Sequence, residues 1–210
     1  MTASPLAPGG IATADPAHDP EARALIPFVV RWSNEVDTTP LTVVDGQLTY
    51  PDGRQRRKDG VLWMREHPGQ RGHGIVQWAE VSTTRQLACM YDRRCQVCGT
   101  FLEAEHPWII PATEARVLRI SGRPFTTTTP PVCDDCLPVS LQRCVHLATS
   151  QPLVLRVSDY RPYGVYGEIV GGDGRGHRRV DLQLDDPRIP LVLGRQLVVQ
   201  VYNYRRLKLR

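Results

Sequence analysis

Two C-x-x-C pairs carry the clearest chemistry in this chain: Cys95 and Cys98 in RRCQVCG, and Cys133 and Cys136 in PPVCDDCLP. Four thiolates at this paired spacing can surround one metal ion tetrahedrally, because each pair bends a single turn of backbone onto the metal. Structural zinc is the expected ion. A single iron held by the same sulfurs, and unmetallated thiols with redox activity, are the alternatives. A four-sulfur sphere is closed, so the metal would fasten the chain and activate no water. Chemistry beyond that would need a second site, for which the sequence offers His106, Cys144 and His146. The last two follow Cys136 closely and could replace one ligand or bind a second ion. A helix cysteine packed beside a histidine is the simpler reading of them.

These cysteines need elements to position them. Ser82, Thr83 and Thr84 precede RQLACMYDRR, where Leu87, Met90 and Tyr91 recur at helical spacing. Hydroxyl residues there can cap a first turn, which predicts a helix over 83–93 delivering the chain to Cys95, with Cys89 buried inside it. Between the pairs, PWII and RVLRI read as strands, and the threonines from Thr126 to Thr129 favour extended backbone. The second pair opens CDDCLPVSLQRCVHLATS, which predicts a helix over 134–147 burying Leu141, Cys144, Val145 and Leu147. Asp134 and Asp135 suit the positive end of its dipole. A cysteine turn, a hairpin, then a helix whose first turn carries the second pair is the order of a treble-clef zinc finger. The free N–H groups of that first helical turn stabilise thiolate charge.

The remainder reads as β structure. Residues 1–23 are Ala, Pro, Gly and Asp without periodicity and are expected to be disordered. From 24 to 81, short β-branched and aromatic runs alternate with turn residues. Asp45-Gly46 tolerates the positive φ of a type I′ turn, which predicts a hairpin of strands 41–44 and 47–50. PDGRQRRKDG at 51–60 and EHPGQRGHG at 66–74, with His67 and His73, read as solvated loops. After the metal region, 82–149, the segment 150–210 is again β-rich, with GGDGRGH at 171–177 as a hairpin loop. The fold class is therefore α+β: a β-rich body in which 150–210 packs with 24–81, and an inserted zinc-stabilised treble-clef subdomain.

A charge of +4 and a pI near 8.8 are mildly basic, which permits a nucleic-acid partner without demanding one. Lys58 and Lys208 are the only lysines, a bias that a GC-rich genome produces as readily as selection for guanidinium groups. The opening lacks the basic and apolar regions of a secretory signal, and no run is long enough to span a bilayer. Cytoplasm is the expected location, where paired cysteines hold metal more often than they form disulfides. No phosphate loop, dinucleotide fingerprint or nucleophile elbow suggests a small-molecule substrate.

Arg94 to His146 resembles the zinc-stabilised treble clef of HNH endonucleases, in which two C-x-x-C knuckles flank a catalytic hairpin and helix. Glu105-His106 followed by PWIIP is similar to the first element of that motif, which implies His106 as general base. The chain departs from the family in having no Asn or His between Pro107 and Cys133, and none from Leu137 to Gln142. The expected function is thus a zinc-stabilised, non-enzymatic binding or adaptor protein with nucleic acid as partner. The alternatives are an HNH-type metal-dependent endonuclease using His106, and a protein–protein component of a larger assembly. Tyr160, Tyr163, Tyr166, Tyr202 and Tyr204 alternate with Arg161, Arg205 and Arg206, as on nucleic-acid platforms, although cross-strand packing explains them equally.

Overall fold

The computed structural model describes residues 26–121, 124–171 and 177–208; the tail expected over 1–23 and most of the 171–177 glycine cluster lie outside them. The chain is a β-rich α+β protein, 42% strand against 19% helix, the reverse of the usual balance. Its first part holds β1 (Val30–Trp32), β2 (Thr42–Val44), β3 (Gln47–Thr49), β4 (Arg57–Lys58), β5 (Val61–Trp63) and β6 (Val76–Val81). The middle holds α1 (Thr83–Tyr91), β7 (His106–Ile110), α2 (Ala112–Ser121), β8 (Phe125–Thr127), α3 (Cys136–Arg143) and α4 (Val145–Ala148). Three strands close it: β9 (Leu153–Val170), β10 (His177–Gln183) and β11 (Val192–Arg206). No described helix is long and apolar enough to cross a membrane.

The two longest strands, β9 and β11, pair antiparallel from Val192↔Ile169 to Arg206↔Leu155 and form the spine of a seven-stranded sheet. The far edge of β9 takes β7 along Leu153–Val157 and β10 along Gly164–Val170. The far edge of β11 takes β5 in parallel at Leu193 and Gly194, then β8 antiparallel at Val199–Val201. Alternation along the spine puts Leu155, Val157 and Val165 with Leu197, Val199 and Val201 in the main core. Leu87 and Met90 of α1, Ala115 and Leu118 of α2, Trp63 and Trp108 complete it. Burying each such aliphatic side chain stabilises the fold by about 1.5–3 kcal/mol. Gly194 admits the close approach of β5, since a Cβ there would lie 2.6 Å from the Trp63 ring. A second cluster docks the β2–β3 hairpin, with Leu48 and Tyr50 against Leu62, Met64 and Leu193.

Local signals set the hairpins and the first helix. Asp45 and Gly46 take φ of 50° and 73° between β2 and β3, as a type I′ turn requires. Asp59 and Gly60 do the same between β4 and β5, so the stretch read as loop at 51–60 contains β4 and the turn that follows it. The Ser82 hydroxyl accepts the Arg85 N–H at 3.2 Å and caps α1. Glu66 adds a carboxylate to that positive end, accepting the N–H groups of Thr83 at 2.8 Å and Thr84 at 3.2 Å. The helix stops at Tyr91, two residues short of the expected 93, because Arg93 adopts a left-handed φ of 52°.

Three expectations are corrected. RVLRI lies in α2, where Ala115 and Leu118, one turn apart, reach the core, and the helix starts with the Ala115 N–H on the Pro111 carbonyl. Among the described residues no hairpin stands between the cysteine pairs, since β7 pairs with β9 and β8 with β11. The single helix over 134–147 is broken at Cys144, which takes an extended backbone between α3 and α4. The break turns Leu147 onto the cluster that holds Leu137 and Leu141 and leaves Val145 72% exposed.

Two buried polar contacts tie α1 to the body. Arg85 donates to both Glu35 carboxylate oxygens, at 2.5 and 2.7 Å, and to the Val30 carbonyl at 2.8 Å. Gln86, wholly buried, fills the gap on the β11 edge between β5 and β8. Its amide accepts the Leu197 N–H at 2.9 Å and donates to the Leu197 carbonyl at 2.9 Å, as a neighbouring strand would. Gln86→Leu keeps the volume and orphans both backbone groups. The expected loss is about 2–4 kcal/mol in denaturant unfolding, against under ~1 kcal/mol for an exposed glutamine such as Gln142.

Candidate metal centre

The first cysteine pair sits on a tight hairpin that follows α1. Arg94 and Phe101 bridge, the Cys95 N–H donates to the Thr100 carbonyl at 2.8 Å, and the Gly99 N–H donates to the Cys95 carbonyl at 2.9 Å. Gly99 supplies the left-handed corner with φ 79°, and the Phe28 ring packs where a Cβ would otherwise crowd it. The second pair closes the first turn of α3: the Leu137 N–H donates to the Cys133 carbonyl at 3.1 Å, and α3 begins at Cys136.

Backbone bonds hold the two turns against each other. The Gln96 N–H donates to the Pro131 carbonyl at 2.9 Å, and its side-chain amide to the Pro130 carbonyl at 2.6 Å. The Val132 N–H donates to the Pro107 carbonyl at 2.9 Å, which ties the second pair to β7. From the other side, the Phe28 and Val29 N–H groups donate to the Val97 and Gln96 carbonyls at 2.8 and 3.0 Å. Cys95 itself is buried with Ile109 and Val132.

These constraints bring the four sulfurs within 4.8 Å of one another, with Cys98 Sγ 3.8 Å from Cys133 Sγ. A tetrahedral ion with metal–sulfur bonds near 2.3 Å places its sulfurs about 3.8 Å apart, whereas a disulfide needs about 2.05 Å. All six cysteines are free. The site can therefore coordinate a metal ion. Donors that favour thiolate are in place: the Val97 N–H on Cys95 Sγ and the Cys136 N–H on Cys133 Sγ, both at 3.4 Å, and Thr100 Oγ1 at 3.0 Å from Cys98 Sγ.

Without a cation, four adjacent thiols cannot all ionise. Burial pushes Cys95 up, and burial together with the hydrogen bonds and charge of the neighbouring cysteines pushes Cys136 up. At Cys98 burial acts upward too, but hydrogen bonds from Thr100 and the other thiols outweigh it and hold the group down at about 7. Cys98 therefore becomes a thiolate more readily than Cys95 or Cys136. A bound cation reverses the repulsion that restrains the others.

The other candidates stand apart from this cluster, which is the one grouping of three or more metal-ligating side chains among the described residues. His106 opens β7 and is 2% exposed, with Nδ1 3.1 Å from the Glu103 carbonyl and Nε2 without a protein partner. Burial lowers its pKa. Its ring stacks with Trp108 and meets Tyr160 edge-on. Cys144 is half-buried at the helix break, and His146, like His67 and His73, is exposed. Sequence reading missed Gln96 and Thr100, although a hydroxyl directly after C-x-x-C-G is a visible signal for the latter. It also missed three cation–aromatic pairs near the site. Arg94 lies 3.8 Å from the Phe101 ring centre, Arg93 6.0 Å from Tyr160 and Lys58 3.2 Å from Tyr91.

Compared with protein-family profiles, curated protein sequences and solved structures, the chain has no significant match.

Elemental analysis of the purified protein is expected to give one transition-metal ion per chain, lost in Cys98→Ser or Cys133→Ser. Thr100→Val keeps that stoichiometry and weakens affinity by roughly 10–100-fold in a chelator competition, as the loss of an outer-shell partner does.

Proposed function

We propose that this chain is a non-enzymatic, zinc-stabilised binding protein whose partner is nucleic acid. Zinc suits a closed four-sulfur sphere on a scaffold that gives the metal no open position for substrate. The centre is read as a treble-clef variant: the second pair still opens a helix, while the hairpin between the pairs is replaced by strands lent to the central sheet.

The observation that carries the partner is the rim beside the first cysteine turn. Lys58, Arg93 and Arg94 each lie near an aromatic ring, and none has a carboxylate within ion-pair distance among the described residues. Phe101, under Arg94, is 69% exposed. Cations free of carboxylates can release counterions on meeting phosphates, and aromatic faces can stack on bases. The nuclease alternative would require His106 to reach water and a scissile phosphate, and the ring is enclosed by β7 and its aromatic neighbours.

A protein partner is the second reading, favoured by one observation. Ile75 and Trp78 are exposed at and beside β6, whose only strand neighbour among the described residues is β1.

A mobility-shift titration at two salt concentrations separates the two. If the three rim cations contact phosphates, raising salt from about 50 to 200 mM weakens binding roughly 20- to 40-fold. A shift that ignores salt, or no shift with any nucleic acid, transfers the function to the protein-partner reading. In that case Trp78→Ser is expected to abolish capture of the partner.

A further inference from the structure

We propose that the cavity between α1 and the central sheet is a nucleotide subsite, in which one base of single-stranded nucleic acid enters between Arg93 and Tyr160. The assignment rests on the nucleic-acid reading above and adds the form of the partner and the point of contact.

The cavity measures about 140 Å³. Leu197 and Val199 of β11 and Met90 of α1 give it an apolar floor, Tyr91 and Tyr160 supply aromatic walls, and Arg93 stands at the mouth. An apolar floor between aromatic walls with a cation at the opening matches a planar ring that carries a phosphate.

Tyr160 is fixed from behind. Its hydroxyl donates to the Met90 carbonyl at 2.8 Å, Trp108 lies against it with ring centres 5.2 Å apart, and His106 meets it edge-on at 6.0 Å. Such a platform loses little freedom when it stacks. Arg93 is its opposite: exposed, held to no carboxylate, and 6.0 Å from the Tyr160 ring centre. A planar group sandwiched between two others needs two contacts of about 3.5 Å, or about 7 Å in all. Arg93, which hydrogen-bonds the Tyr160 hydroxyl, therefore has to swing off that oxygen to admit a base and cover it, and its exposure leaves it free to do so. The left-handed backbone at Arg93 is uncommon outside glycine, Asn and Asp, and it ends α1 with this side chain at the cavity mouth. Lys58 lies above the Tyr91 ring outside the cavity lining, and the Tyr91 hydroxyl donates to Asp59, so Arg93 is the cation that a phosphate at the mouth would meet.

Paired bases are stacked inside a duplex and must be extruded before they can enter a pocket, whereas single strands present theirs freely. The floor and walls contain no set of converging donors and acceptors that would read one base, so any base with a π face serves.

The test is fluorescence anisotropy on the full chain with a labelled oligothymidylate, competed by the same strand as duplex and by free thymidine monophosphate. Binding is expected to rank single strand above duplex and above mononucleotide. Arg93→Gln and Tyr160→Leu are each expected to weaken single-strand binding by roughly 5- to 150-fold, while Tyr160→Phe, which keeps the ring, retains it. Metal content and circular dichroism confirm that each variant is folded; Arg93, at the surface, keeps the test decisive if Tyr160→Leu is not. Single-strand binding unchanged in folded Arg93→Gln, or a preference for duplex, overturns the subsite and leaves the nucleic-acid reading standing. Mononucleotide binding as tight as the strand overturns the assignment in favour of a free nucleotide. Absence of binding to every nucleic acid removes both.

Discussion

The antiparallel ladder between β9 and β11 is the constraint from which the rest follows. Each strand has one edge committed to the other, and each outer edge is divided between two further strands. On β9 the division is between β7 and β10, on β11 between β5 and β8. The first cysteine turn precedes β7 and the second follows β8, so the register of those strands fixes where both turns arrive. Two short tethers between the turns and their neighbours then help complete the approach: Gln96 to Pro130 and Pro131, and Val132 to Pro107. The sulfurs meet because the sheet brings them together, and a cation relieves the repulsion that this convergence creates. In a finger module without a core the order is reversed, and the metal does the folding.

Features encoded within a few residues were legible in the sequence. Cysteine spacing, the Asp45-Gly46 turn and the Ser82 cap each act through backbone geometry over one or two turns, so residue type suffices to find them. Features decided by distant partners were not. RVLRI has the composition of a strand, but Ala115 and Leu118 must reach the same core from one side, and only a helix puts them there. Nothing in PWII or the threonine run states that their partners are β9 and β11, because strand pairing is chosen by the complementary edge. Gln86 looks like an ordinary polar helix residue, yet it stands in for a missing strand more than a hundred residues away. The break at Cys144 has the same character: Leu147 gains a place among Leu137 and Leu141 that a straight helix would deny it.

His106 shows why a motif's texture and its chemistry separate. An acidic residue and histidine before an apolar run suggest a base at the mouth of a cleft. Here all five residues of β7 are buried, the ring lies between Trp108 and the edge of Tyr160, and desolvation favours its neutral form. Desolvation, with Arg93 and Arg156 nearby adding repulsion, makes the imidazolium unfavourable. What this histidine does in the structure is brace Tyr160 from behind.

The overall charge of the chain understates what its surface offers locally. The carboxylates of Glu35, Asp37, Asp52, Asp134, Glu168 and Asp186 are each engaged by an arginine, namely Arg85, Arg65, Arg65, Arg156, Arg195 and Arg188. Pairing on that scale removes negative and positive charge together from the field felt outside. Among the cations without a carboxylate in ion-pair distance, Lys58, Arg93 and Arg94 collect around α1 and the first cysteine turn, each near an aromatic ring. A ring facing a cation gains modestly from the contact and does not neutralise it, so the positive charge at this rim remains in the field felt outside. A mildly basic pI therefore averages over arginines held by carboxylates and cations that are not, and this rim is one place where cations of the second kind stand together.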